Sequence, residues 1–225
     1  MDYKIRKRRD GKQAIFDKNG KMISPEWFDE IYSEGLVAGQ SKYYVARRDV
    51  EYAIFDVDGN RITEWYYWYR RILIEGLVEG KSNYYIAIKD GKKAIFHKDG
   101  KQISQWFDWI WESGLVKGES EYYVAAKNEK WAIFDVNGKM VTKEWYDYVS
   151  LDGLVEGQSK YYIAVKDEKY AIFDVNGEKI TEWYDDISSE GLVKGQSNLY
   201  VAKKDGKYAI FNIYGRQISD WYDGI

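Results

Sequence analysis

The apolar positions of this chain come in short bursts, and within each burst both faces of an extended segment are occupied. In residues 169–175, KYAIFDV, alternation sends Ala171 and Phe173 one way and Tyr170 and Ile172 the other. A sheet with one wet face would alternate apolar with polar, so these segments predict strands covered on both sides. The triplet Ala-Ile-Phe starts at Ala14, Ala53, Ala94, Ala132, Ala171 and Ala209, at spacings of 39, 41, 38, 39 and 38 residues. Gly-Leu-Val recurs between them at Gly35, Gly76, Gly114, Gly153 and Gly191, one copy fewer. Self-similarity at a fixed period of this size marks a repeat architecture.

Turn chemistry punctuates each repeat. Asn-Gly or Asp-Gly follows the triplet at Asn19, Asp58, Asp99, Asn137 and Asn176, with Tyr214-Gly215 as a weaker sixth. This dipeptide favours the two-residue type I′ hairpin loop, which would pair Phe16 with Ile23, Phe55 with Ile62 and so on through Phe211 with Ile218. A second hairpin is expected ahead of it, where Asp90-Gly91 and Asp205-Gly206 set Ala87 opposite Ala94 and Ala202 opposite Ala209.

Short antiparallel strands at this period predict an all-β fold, a β-propeller of blades about 39 residues long. The expected strand order in a blade is Gly-Leu-Val innermost, then Tyr-Tyr-Val-Ala, then Ala-Ile-Phe, with Ile-x-x-Trp outermost. Six blades are favoured, one of them thin because residues 1–32 lack Gly-Leu-Val. A five-bladed ring with an extra hairpin, or an open arc closing by dimerisation, are the alternatives. One repeat domain is expected over 1–225, with repeats near 1–33, 34–74, 75–112, 113–151, 152–189 and 190–225.

Composition narrows the class. Aromatic residues make up 18% and charged residues 32%, a combination of large rings and wet surface that belongs to a folded chain rather than a disordered one. A net charge of -3 gives no global attraction to nucleic acid, although KIRKRR at residues 4–9 is locally basic. There is no cysteine, which removes disulfides and thiolate sites, and no apolar stretch long enough to span a bilayer. The start carries charges and no apolar signal region, so the expectation is a soluble cytoplasmic protein, monomeric or dimeric.

Residues 130–141, KWAIFDVNGKMV, resemble the bacterial WG (KWG) repeat, roughly K-W-G-x-I-D-x-x-G-x-x-I followed by an aromatic-Asp step and E-G-L. The likeness spans the chain. It departs from the pattern where Ala14, Ala53, Ala94, Ala132, Ala171 and Ala209 stand for glycine, and Pro25 alone supplies the proline before the aromatic-Asp step. The resemblance implies a β-rich repeat scaffold, commonly without known catalysis, so function must come from residues that break the repeat.

No nucleophilic triad, phosphate loop or zinc-protease motif is present, and no cofactor or metal is expected. The single histidine, His97, fills the slot held elsewhere by Asp17, Asp56, Asp135, Asp174 and Asn212, and reads as a polar strand residue beside a turn. Asp29, Asp108, Asp147, Asp185 and Asp223 recur once per repeat, which suits groups that bond turns or backbone better than a paired acid and base. The chain is therefore expected to be non-enzymatic.

What breaks the repeat is aromatic. EWYYWYRRILIEGLVEG, residues 64–80, differs from EWYDDISSEGLVKG, residues 182–195, by replacing the aspartate with Tyr67 and adding Trp68, Tyr69, Arg70 and Arg71. Trp68, Trp109 and Tyr148 share one repeat position, where other copies hold Glu30, Asp186 and Gly224. Tyr67, Trp68, Tyr69, Arg70, Trp109, Trp111 and Tyr148 thus form a candidate protein-binding stripe, of residue types common at interface hot spots. The competing explanation is that they fill a gap between blades.

The alternative function is a multivalent lectin, each blade offering an aromatic plane and a carboxylate such as Trp183, Tyr184 and Asp185. The basic start, Lys4, Arg6, Lys7, Arg8 and Arg9, with Lys7 expected where other copies have Ala46 or Ala164, reads first as charge guarding a terminal strand edge. RNA or another anionic partner is its minor alternative.

Overall fold

A computed structural model of the chain describes residues 3–67 and 76–223. Among these residues are six small antiparallel sheets and one helical turn, Glu34–Val37, the all-β repeat of propeller-type blades expected from the pattern. The chain divides into two compact units, residues 1–107 with 116–118, and residues 108–115 with 119–225.

Each repeat is organised around one hairpin. In the first unit Tyr43–Arg48 pairs with Glu51–Asp56 and Tyr84–Lys89 with Lys92–His97. In the second unit the hairpins are Tyr122–Lys127 with Lys130–Asp135, Tyr161–Lys166 with Lys169–Asp174, and Leu199–Lys204 with Lys207–Asn212. Ala87 faces Ala94 and Ala202 faces Ala209, as the two-residue loops require. Those loops hold positive φ at both central residues, 52° and 76° at Asp90-Gly91, the type I′ geometry.

The following turn differs from expectation by one residue. Phe16 pairs with Met22, not Ile23, and Phe134 with Met140, not Val141. The loop has three residues: the Asp17 N–H bonds the Lys21 carbonyl at 2.9 Å, and Gly20 alone takes the positive φ, 82°. The Asp17 carboxylate braces this loop, its Oδ1 accepting the Asn19 and Lys21 N–H groups at 2.9 and 2.8 Å, and the copy with His97 in that slot forms the same loop. The glycine at the loop's last position closes it as a type I turn with a glycine bulge, in place of the tighter type I′ loop.

The strand order is also corrected. Gly-Leu-Val is not a strand but a turn, and the strand beside Tyr-Tyr-Val-Ala comes from the end of the Trp-aromatic-Asp step, Glu30–Tyr32 in the first unit. That step serves two sheets in succession. The Tyr146 N–H and carbonyl exchange bonds with Trp131 at 2.9 and 2.7 Å; the Asp147 N–H then bonds the Val165 carbonyl at 2.9 Å, and Val149 pairs with Ala164. Phe28 to Ile31 and Tyr184 to Ile187 repeat the pattern. A change of partner in mid-segment is invisible to a reading that assigns each apolar burst to one sheet.

Both faces of the hairpins are buried, which explains the lack of polar alternation. Val124 and Ile133 of one repeat pack with Leu154, Val155, Tyr162, Ala164 and Phe173 of the next. Each fully buried aliphatic of this kind contributes roughly 1.5–3 kcal/mol. On that same face Tyr162 stacks on Phe173 with centroids 5.5 Å apart and planes at 13°, while Ile163 and Ile172 on the other face pack with Leu192, Val193 and Tyr200 of the following repeat.

The Gly-Leu-Val turns stack where no side chain fits. A Cβ on Gly153, whose φ is 85°, would lie 2.2 Å from the Tyr161 carbonyl oxygen and 2.8 Å from that of Val193. Ser159 ties the same stack, its Oγ donating to the Val193 carbonyl at 2.6 Å while accepting the Tyr161 N–H at 3.0 Å. The close packing at these glycines thus belongs to a turn and not to an innermost strand.

Candidate functional site

The second unit carries an exposed aromatic row. The register places Trp109 opposite Ala126 and Ala126 opposite Trp131, so a small residue separates two indoles on one face. Trp111 bridges them: its ring lies 5.8 Å from Trp131 in a stacked arrangement and 6.4 Å from Trp109, edge to face. Tyr148 takes the place of Trp109 in the next repeat, opposite Val165, with Tyr170 beyond it. Trp109 and Tyr148 are each 46% exposed and Trp111 37%, far more than rings that fill a core. Burial raises the Tyr148 phenol above its usual pKa, with Asp152 and Glu156 adding to the shift.

The structure therefore brings Trp109 and Trp111 together and sets Tyr148 at the equivalent position beside them. Trp68, Tyr69 and Arg70 lie outside the described residues; Tyr67 is described through its backbone, which pairs with Glu51. Trp131 belongs to the row although the sequence reading left it out. Alternation would have found it, because Trp131 precedes the inward-facing Ala132 and shares a face with Trp109 across the sheet.

The repeated aspartates are staples. Asp29, Asp108, Asp147 and Asp185 accept through Oδ2 the N–H of Asp49, Asn128, Asp167 and Asp205 at 2.6, 2.8, 2.8 and 2.7 Å. Each bond holds the first loop residue at positive φ; the loops at Asn128, Asp167 and Asp205 are positive at the second residue too, the type I′ geometry. The Oδ1 atoms of Asp29, Asp147 and Asp185 take Lys12, Lys130 and Lys169. The lysine bond first, then the amide, holds Asp147 and Asp185 below the usual carboxylate range; for Asp29 the amide comes first. Each oxygen of Asp185 accepts one bond and Tyr184 is buried, so within Trp183-Tyr184-Asp185 the carboxylate serves the loop amide and Lys169. The second repeat has Tyr67 in this slot.

His97 is tied locally, its Nδ1 3.0 Å from Asp99 Oδ1 and its ring edge to face with Tyr84 at 5.5 Å. Among the described residues no group of three or more His, Asp or Glu side chains could hold a metal ion. No helix among them is long and apolar enough to cross a membrane.

The basic start forms an exposed strand, Tyr3–Lys7, paired with Gln13–Asp17. Here Arg6, not Lys7, faces the repeat alanine: Arg6 pairs with Ala14 and Lys7 with Gln13. The shift arises because this hairpin closes through a longer loop, with the Arg8 N–H bonded to the Lys12 carbonyl at 2.8 Å. Arg6 lies 4.2 Å over Phe16, where other copies stack a buried tyrosine on the phenylalanine, and Arg8 lies 5.2 Å over Trp27 as Arg48 lies over Trp65. Arg8 is also paired with Asp10 at 2.6 Å, while Lys4, Lys7 and Arg9 are exposed.

No family model and no curated protein matches the chain. Among solved structures it is similar to Hsv2p of Kluyveromyces lactis, at 9% identity over 97% of this chain and 72% of that one, TM-score 0.37. It is similar to BamB from Moraxella catarrhalis at 14% identity, over 97% and 70%, TM-score 0.33. It is also similar to the Cps50 (Swd1) beta-propeller domain of Myceliophteria thermophila at 11% identity, over 99% and 82%, TM-score 0.34.

Proposed function

We propose that the chain is a non-enzymatic protein-interaction module that grips a partner through the aromatic row of its second unit. The observation that carries this reading is the exposure of Trp109, Trp111 and Tyr148 on one rigid set of sheets, where Trp131 backs them. Such rings offer large contact area at low conformational cost, and hot spots are rich in them. The repeat itself does not require them: at the same position Asp186 and Glu30 serve. The partner is expected to present an apolar patch with a polar rim.

Photo-crosslinking tests it. A benzophenone amino acid at Tyr148 should capture a discrete adduct in source cells that the same probe at Tyr214, 89% exposed and distant in register, does not. Equal patterns from both positions, or no adduct that Trp109→Ala abolishes, would sink the reading.

A further inference from the structure

Each unit contains a cleft of nearly the same size built from equivalent residues of the repeat. One, of about 390 Å³, is lined by Glu64, Tyr85, Lys89, Phe96, Gln102 and Trp106. The other, of about 400 Å³, is lined by Glu182, Tyr200, Lys204, Phe211, Gln217 and Trp221. The floors are the stacked pairs Tyr85 on Phe96, at 5.5 Å and 14°, and Tyr200 on Phe211, at 5.3 Å and 10°.

Two sibling corners show how the same place is closed. At one, Arg48 reaches Glu26 at 3.6 Å and lies 4.3 Å over the Trp65 ring, with Arg61 at 6.0 Å on the same ring. At the other, Lys166 pairs with Glu144 at 2.7 Å and Lys179 lies 5.6 Å over Trp183. In both clefts the position of Arg61 and Lys179 is glutamine, and its amide is drawn off the indole. Gln102 Nε2 donates to the Ser104 carbonyl at 2.6 Å and Gln217 Nε2 to the Ser219 carbonyl at 2.7 Å. Among the described residues no cation covers Trp106 or Trp221, and neither Glu64 with Lys89 nor Glu182 with Lys204 forms an ion pair.

We propose that these two clefts are saccharide sites, each taking one pyranose ring of a neutral glycan. The flat C–H face of the sugar lies on Trp106 or Trp221, where a side-chain cation lies in the sibling corners. Its hydroxyls bond the carboxylate, the ammonium and the amide around the rim. A hydroxyl both donates and accepts, so it meets Glu64, an acceptor, Lys89, a donor, and Gln102, which does both. One carboxylate and one ammonium per cleft sum to no net charge, and both are exposed, so an ionic ligand gains little from them in screened water. Volume, an apolar floor and a few convergent polar groups are the usual form of a small-ligand site. Two sites on one chain make the protein bivalent toward a branched or repeating glycan.

The test is calorimetric titration of the full-length protein with glucose, galactose, mannose and N-acetylglucosamine, backed by saturation-transfer NMR. At least one sugar should bind with Kd on the order of 1 mM and a stoichiometry of two. Gln217→Lys, which rebuilds the closed corner at an exposed position, should halve the stoichiometry without changing the melting temperature. Gln102→Arg with Gln217→Lys should abolish binding, at least tenfold in affinity. Trp106→Ala with Trp221→Ala should do the same if its circular dichroism is native. No binding by any of the four sugars, binding untouched by the glutamine variants, or tighter binding of a zwitterionic amino acid such as glycine than of every sugar overturns the proposal.

Discussion

Within the second unit, the corner at Trp183 and the corner at Trp221 share backbone, floor and staple, yet one is filled and the other open. Lys179 lies over the first indole and Lys166 closes on Glu144; Gln217 bonds Ser219 and leaves the second indole uncovered. The difference costs the scaffold nothing visible. Both corners rest on a stacked tyrosine and phenylalanine, and both sit beside an aspartate fastened to a lysine and a loop amide. Architecture and chemistry are therefore carried by different positions of the repeat, and within this unit the side chain at 179 or 217 distinguishes the covered indole from the uncovered one.

The strongest challenge to that separation is to remove the shared floor. Phe173→Ala and Phe211→Ala, under the closed and open corners, should each cost about 3–5 kcal/mol in urea unfolding. A gap between them larger than about 1.5 kcal/mol would mean that the corners do not rest on equivalent floors. Next comes the crowded turn. Gly153→Ala should destabilise by about 2–4 kcal/mol, because its Cβ meets two carbonyl oxygens and the backbone holds positive φ. A loss under about 0.5 kcal/mol would refute the packing described for that turn.

Acid should act on both corners alike. Asp147 and Asp185 have carboxyls held below their ordinary value of 3.8, so the unfolded chain binds protons more readily than the folded one. Their contribution to stability is present above 3.8 and is lost as pH falls through the folded values. Asp147→Asn with Asp185→Asn should flatten the fall in melting temperature below pH 4; an unchanged slope would remove the staples from the account. The smallest effect is the sharpest probe. Lys179→Gln should shift stability by less than about 0.5 kcal/mol yet expose the Trp183 ring, raising its quenching by acrylamide. Unchanged quenching would mean that the lysine does not cover the indole.

Much of the hairpin was legible because Asp90-Gly91 and Asp205-Gly206 dictate a loop, and the alanine pairs follow from its length. The next turn misled because the dipeptide Asn19-Gly20 fits either loop: as the centre of a two-residue turn, or as the last two residues of the three-residue one that forms, with the Asp17 carboxylate bonded into it. Comparing copies found Trp109 and Tyr148, since substitution at one repeat position is visible in one dimension. It missed Trp131, whose place in the row depends on pairing across a sheet. The clefts were harder still: Glu182, Lys204, Gln217 and Trp221 come from four separate stretches that meet only once consecutive repeats stack.

The Trp-aromatic-Asp step, bonded first to one sheet and then to the next, also fixes how such a chain comes apart. A boundary between repeats runs through the middle of a strand, so freeing Tyr146 from Trp131 loosens the segment that holds Val149 against Ala164. Neighbours within a unit are coupled through covalent backbone as well as packing, which penalises any state with one blade melted beside an intact one. Amides at Trp131, Tyr146 and Val165 should then exchange with solvent at one common rate set by the opening of the whole unit, even though they belong to different sheets.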